Sequence, residues 1–216
     1  MHSQIEAVSR HQCLIYEGSP SRQLPALAAL VSQKLNENFR CLYLDSPVMV
    51  AGISCYLAAA GIDIARELGK GSLMLSSDQQ HLIKGRFVVD QMMQTLEGAL
   101  AQALQDGYAG LWATGDMTWE LGPQKDFSKL LEYEWRLEEL FQKHPELGGI
   151  CQYHAETLPH EVLRQGLLTH PSIFVNQTLS RINPHYLRAD SYSNQAEVNP
   201  ELESVIDSLC HSDEAS

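Results

Sequence analysis

The chain has 216 residues, a length that suits one α/β domain, and its hydrophobic content of 44% is enough to bury a sizeable core. Only 19% of residues are charged, which argues against wholesale disorder. The net charge of -12, with no basic run or aromatic-interleaved basic stripe, argues against direct nucleic-acid binding.

Taken in order, short apolar runs alternate with longer amphipathic segments. Met1 to His11 is polar and lacks the apolar core of a signal peptide. Cys13–Tyr16 reads as a strand and Leu24–Leu35 as a helix. Cys41–Leu44 is a second strand, closed by Asp45-Ser46-Pro47; Val48–Ala60 is a helix stopped at Gly61. Leu73–Leu75 is a short strand. Arg86–Gln105 is the longest helical pattern, with Phe87, Val88, Met92, Leu96, Leu100 and Leu104 in its stripe. Gly110–Thr114 is a strand, Phe127–Lys143 a charged helix, Gly149–Tyr153 a strand, Pro159–Leu168 a helix and Ile173–Val175 the start of a last strand. The tail after about Arg188 is acidic, with a short helix at Pro200–Cys210.

Strands separated by helices imply parallel crossovers, hence a mostly parallel central sheet flanked by helices on both faces. Ligands of such sheets bind at the carboxyl ends of the strands. That rule selects Glu17–Arg22, Asp45–Pro47, Thr114–Trp119 and Tyr153–Glu156. Five cysteines, without a CxxC pair or zinc spacing, suit reduced thiols; Cys13, Cys41, Cys55 and Cys151 fall in apolar segments where burial is expected. No apolar stretch is long enough to span a membrane. These features point to a cytoplasmic protein with no membrane partner.

Tyr16-Glu17-Gly18-Ser19-Pro20-Ser21-Arg22-Gln23 occupies the strand–loop–helix position of a phosphate-binding loop. A working loop needs several glycines, a Lys for phosphate charge and a Ser/Thr for Mg²⁺. This segment has one Gly, Arg22-Gln23 where Lys-Ser/Thr would stand, and Glu17 adding negative charge. Ordinary nucleotide hydrolysis is not expected. A plain structural turn, or a modified anion site using Arg22, remain as readings.

The sequence resembles the MEDS (methanogen/methylotroph sensory) domain, a divergent branch of the RecA/KaiC-like superfamily. The resemblance rests on His11–Tyr16 (HQCLIY), Arg40–Leu44 (RCLYL), Ala59–Asp63 (AAGID), Gly107–Leu111 (GYAGL), Ala113–Trp119 (ATGDMTW), Leu130–Glu134 (LLEYE), Cys151–Tyr153 (CQY) and Thr169–Pro171 (THP), in family order over residues 11 to 186. Asn183–Tyr186 looks like the close of the domain, which leaves residues 1–10 as an extension and 187–216 as a tail. The resemblance implies a RecA/KaiC-like three-layer sandwich without a functional phosphate loop. It also implies a sensory module for simple hydrocarbon derivatives, usually paired with a helix-turn-helix or histidine-kinase unit. Residues 187–216 are too few for either, so the expected partner is a separate signalling protein such as a histidine kinase or transcription regulator. A homo-oligomer is a further expectation.

Candidate ligand-binding residues follow from the strand-end rule and the resemblance. Tyr16, Arg22, Thr114, Asp116 and Trp119 lie on the rim; Asp116 can hold a cation or accept a ligand hydrogen bond, or simply cap the next segment. Tyr153 and His154 end their strand there. Glu132, Glu134 and Glu138 read as a solvated face with local ion pairs, while the family match singles out Glu134. In RecA-type sheets the first strand lies beside the one carrying Cys151. His11, Cys13 and Cys151 then offer a cluster for a soft metal or haem, against the plainer reading of cysteines as small core residues. His170, before Pro171, reads as a helix terminator. The expected function is a non-catalytic sensor that binds a small ligand in the strand-end cleft. The alternatives are a ligand-free adaptor or scaffold, and a haem, metal or thiol redox sensor using Cys13 and Cys151.

Overall fold

Hydrophobic alternation along the strands sets the layers. Leu14, Tyr16, Cys41, Tyr43, Trp112 and Ile150 belong to one buried cluster; Cys13, Ile15, Leu42, Leu111, Cys151 and Tyr153 belong to another. Successive strand side chains point to opposite faces, so the two clusters lie on opposite sides of one sheet. A computed structural model describes residues 10–77, 79, 82–120, 127–176, 179–188 and 200–210 of this arrangement.

In chain order the elements are β1 (His11–Tyr16), α1 (Leu24–Asn36), β2 (Phe39–Leu44), α2 (Pro47–Ala59), α3 (Ile64–Lys70), β3 (Leu73–Ser76), β4 (Leu82–Ile83), β5 (Arg86–Phe87) and α4 (Val89–Gln105). They continue with β6 (Gly110–Asp116), α5 (Met117–Glu120), α6 (Leu130–Lys143), β7 (Leu147–His154), α7 (His160–Thr169), β8 (Ser172–Asn176), β9 (Leu179–Ile182) and α8 (Pro200–Cys210). The main sheet has seven strands in the order β3-β2-β6-β7-β1-β8-β9. All neighbours are parallel except β8 and β9. Helices α1 and α2 cover one face, and α4, α6 and α7 cover the other. The expected α/β architecture is therefore the observed one. β7 lies between β1 and β6, and Cys13 is the direct ladder partner of Cys151.

Local signals explain most boundaries. Ser46 accepts a hydrogen bond from the Met49 amide at 3.4 Å, and Pro47 fills the first turn of α2. Several elements differ from the sequence reading or extend it. Arg86 and Phe87 form β5, paired with β4, and the helix begins only at Val89. The helix α3, capped by Asp63, and the antiparallel strand β9 had no clear periodic signal because they are short. The tail helix α8 buries Leu202 and Ile206 in the core beneath α7 and β1. Cys55 is exposed rather than buried, because only Ile53 and Leu57 of α2 turn inward. No single helix among the described residues is long and apolar enough to cross a membrane.

Two glycines let strands approach their neighbours. A Cβ on Gly110 would stand 1.9 Å from the Glu146 carbonyl oxygen, and one on Gly149 would stand 2.1 Å from the Ala113 oxygen. Both obstacles are backbone, so they cannot step aside. Gly110→Ala and Gly149→Ala are each expected to cost at least about 2 kcal/mol, lowering the melting temperature by roughly 4–8 °C. Gly98, on the exposed side of α4 with open space around it, gives the contrast. Gly98→Ala is expected to stabilise by about 0.5–1 kcal/mol, measured in the same thermal melts.

Candidate functional site

Two polar constellations flank the centre of the sheet, one at the strand ends and one beneath it. At the strand ends, β1 closes on Tyr16 and β6 on Asp116, and the Tyr16 hydroxyl donates to Asp116 Oδ2 at 3.4 Å. Asp45 follows β2, the neighbour of β6; its Oδ2 accepts from the Tyr43 hydroxyl at 2.9 Å and its Oδ1 from the Ser46 amide at 2.6 Å. Both carboxylates are buried. The turn after β1 is closed from the same side. Gly18 takes φ +77°, which favours glycine, and its carbonyl accepts from His154 Nε2 at 2.8 Å. Arg22 is exposed on the 3₁₀ turn Pro20–Gln23, where its guanidinium folds back over Gly18.

The second constellation lies between the sheet and α6. His11, Glu134 and His170 are each 0% exposed. Glu134 Oε1 accepts from the Tyr153 hydroxyl. Its Oε2 lies 3.5 Å from His11 Nε2, 3.4 Å from His170 Nε2 and 3.8 Å from Cys151 Sγ. Cys151 Sγ is also 3.8 Å from His11 Nε2. On its far side, His11 Nδ1 donates to Glu138 Oε2 at 2.9 Å. His170 Nδ1 donates to the Gly166 carbonyl at 2.6 Å. Asn183 Nδ2 donates to the His170 carbonyl at 2.7 Å and so fixes the turn that carries the imidazole.

A small cavity adjoins this cluster. It holds about 30 Å³, on the order of two water-sized groups. Met92 and Leu96 of α4, Tyr133, Leu137 and Phe141 of α6, and Leu44, Ala113 and Cys151 of the sheet line it. Phe141 also stacks on His11, with ring centroids 4.7 Å apart. Cys151 and Phe141 thus belong to both the apolar cavity and the polar cluster.

Residues 10–171 match the model of the family described as MEDS, methanogen/methylotroph, DcmR sensory domain. The chain belongs to the MEDS family. No curated protein matches it. In this MEDS domain the residues selected from sequence divide between the two constellations. Tyr16 and Asp116 meet at the rim. Thr114 bridges strands, donating to the Ile150 carbonyl at 2.8 Å and accepting from Gln152 Nε2 at 2.9 Å. The side chain of Trp119 lies outside the described residues. Tyr153 is not on the rim; it is fully buried, with its hydroxyl on Glu134. His11 and Cys151 do converge, but among the described residues their companions in a possible ligand group are Glu134 and His170, not Cys13.

The reading of Glu134 and Glu138 as a solvated face fails. They share the helix face of Leu130, Leu137 and Phe141 and turn into the core, where His11 and Tyr153 supply partners. That helical spacing was the available signal for Glu138. Asp45 lies in the Asp45–Pro47 segment that the strand-end rule selects, whereas His170 has no signal beyond its position after an apolar segment.

Burial and neighbours shift these groups in different directions. Burial opposes a charge on His11, but the hydrogen bonds and charges of Glu134 and Glu138 outweigh it and raise its pKa. Burial, followed by the charge on His11, lowers His170 to about 3. Burial opposes the Glu134 charge too, yet the electrostatic interaction with His170, the hydrogen bond and charge of His11 and the Tyr153 hydroxyl together hold it below the ordinary carboxylate range. At the rim, burial and then the charge of Asp116 raise Asp45 to about 6.

Asp45 has a testable consequence. Its carboxyl titrates higher folded than unfolded, so folding favours the protonated form. The stability this gives is present below pH 4 and is lost as pH rises through about 6. The rise from 3.8 to about 6 corresponds to on the order of 2–3 kcal/mol. Asp116→Asn removes the charge beside Asp45. The variant is expected to lose distinctly less stability than the parent between pH 4 and pH 7, measured by urea unfolding at each pH.

Proposed function

We propose that this MEDS domain is a non-catalytic sensor that binds a small, largely apolar molecule between the sheet and α4/α6. The reading starts from its membership of a sensory family. The observation that carries it further is the cavity of about 30 Å³, whose lining is mostly hydrocarbon, with Thr114, the Cys151 thiol and Tyr133 as its polar side chains. A space of that size suits a compound of one or two carbons. The turn at Glu17–Gln23 supports the non-catalytic part: it has one glycine, no lysine, and a carbonyl bound by His154. The strand order, with β7 inserted between β1 and β6, supports descent from a RecA/KaiC-type fold whose phosphate site has been given up. On this reading the output belongs to a separate signalling protein. The outward face of α2 is a candidate contact, because Val48 is 79% exposed and Ala51, Cys55 and Ala59 follow it at helical spacing.

A second reading places the ligand at the rim. The buried Asp45 and Asp116, with Tyr16 and Tyr43, would receive a polar or cationic molecule. One experiment separates the two. Thermal melts with a panel of one- and two-carbon alcohols, amines and halides, and with xenon, are expected to show stabilisation by at least one compound. Saturation at a hundredfold over Kd gives about 2.7 kcal/mol. Ala113→Val, which adds two carbons to the cavity wall, is expected to abolish the shift, while Asp116→Asn leaves it intact. The reverse pattern moves the ligand to the rim, and no shift from any compound removes the cavity reading.

A further inference from the structure

The donor atoms under the sheet are arranged as ligands. We propose that His11 Nε2, His170 Nε2, Glu134 Oε2 and Cys151 Sγ form a tetrahedral site for a borderline divalent transition metal, with Zn²⁺ the best fit.

Three observations carry this. The first is distance. A tetrahedral ion with N or O ligands at about 2.0–2.2 Å and S at about 2.3 Å has edges of roughly 3.3–3.6 Å. The His11–Glu134 and His170–Glu134 edges are 3.5 and 3.4 Å, and the edges from Cys151 to His11 and to Glu134 are 3.8 Å. The two remaining pairs lie within 4.8 Å.

The second is orientation. The Gly166 carbonyl can only accept, so His170 carries its proton on Nδ1 and presents a bare lone pair at Nε2. That atom is buried, makes no hydrogen bond, and faces a carboxylate oxygen 3.4 Å away. A lone pair aimed at a carboxylate repels it unless a cation stands between them. On His11 the same outer contact comes from Glu138, which is itself held by Gln142 at 2.8 Å and by Tyr186 at 3.5 Å. A carboxylate or carbonyl on the outer nitrogen of each imidazole is the usual support of a metal-binding histidine.

The third is ligand chemistry. Two imidazoles, one thiolate and one carboxylate suit Zn²⁺ better than Mg²⁺ or Ca²⁺, which take oxygen ligands. Binding releases the Cys151 thiol proton and any proton on His11 Nε2 to solvent. The ligands come from β1, α6, β7 and the α7–β8 turn, so the ion would join four separated parts of the chain. The site does not depend on the ligand reading above.

The test uses the full chain, stripped with chelator and then titrated with Zn²⁺ or Co²⁺. Expected is about one metal per chain, with Co²⁺ giving the intense visible absorption of a tetrahedral site and a sulfur-to-cobalt charge-transfer band. Cys151→Ser is expected to abolish that band, and Cys55→Ser to leave it. Glu138→Gln, which leaves all four ligands in place, is expected to weaken affinity about 10- to 100-fold. X-ray absorption on the unmodified Zn²⁺ protein guards against variants that fail to fold. One sulfur near 2.3 Å with nitrogen or oxygen neighbours near 2.0–2.2 Å supports the site. A folded chain that takes up no metal, or a metal shell without sulfur, overturns it.

Discussion

The arrangement beneath the sheet depends on one buried carboxylate, Glu134. Moving such a group out of water costs several kcal/mol unless its oxygens are satisfied. Here Tyr153 donates to one oxygen, and His11, His170 and Cys151 surround the other. Glu134 is on α6 and its partners come from β7, β1 and the turn before β8, so satisfying one side chain sets the position of four segments. Removing any partner leaves charge buried without compensation. The outer layer follows from the same requirement: Glu138 holds His11, Gly166 holds the His170 ring, and Asn183 holds its backbone.

The sheet keeps this cluster apart from the acidic rim. Cys151 and Tyr153 point towards α4, α6 and α7, whereas Tyr16 and Tyr43 point towards α1 and α2. The two sites therefore differ in dielectric and in access as well as in position. At the rim, burial, and then repulsion between two carboxylates at the ends of neighbouring strands, raise Asp45 to about 6. In the core, carboxylates alternate with imidazoles, so opposite tendencies meet. Carboxylates appear in both places, but Asp45 at the rim is set up to take on a proton near neutral pH and Glu134 in the core to retain its negative charge.

The layered fold was legible from periodicity. The short apolar runs at Cys13–Tyr16, Cys41–Leu44 and Gly149–Tyr153 mark strands buried on both faces, and the stripe from Met92 to Leu100 marks a covering helix. What escaped were elements held by tertiary pairing more than by their own pattern: the β4–β5 hairpin and β9. The site was half legible. His11 and Cys151 could be grouped because strand adjacency follows from topology. Tyr153 stands near a strand end, but the face of the strand, not its end, decides where the ring goes. Glu134 and Glu138 carry charge, but their helical phase beside Leu130, Leu137 and Phe141 turns them into the core. His170 sits in an extended turn before Pro171, and no periodic rule says where such a side chain points.

Helix α6 connects the two features proposed to matter. One face of it supplies Tyr133, Leu137 and Phe141 to the cavity and Glu134 and Glu138 to the polar cluster. The demands of the two are unlike. Apolar packing tolerates a displacement of half an ångström at modest cost, whereas the hydrogen bonds and ion pairs of a buried charge weaken steeply with distance and angle. A molecule entering the cavity can therefore shift α6 only by straining Glu134 and Glu138 against His11, or by choosing a state in which those contacts are already remade. Either way the ligand must favour one of two arrangements for its presence to be felt elsewhere. Placing the most geometry-sensitive contacts of the fold on the helix that lines the cavity gives a small, featureless ligand a means to be felt: few interactions of its own, but a lever on many.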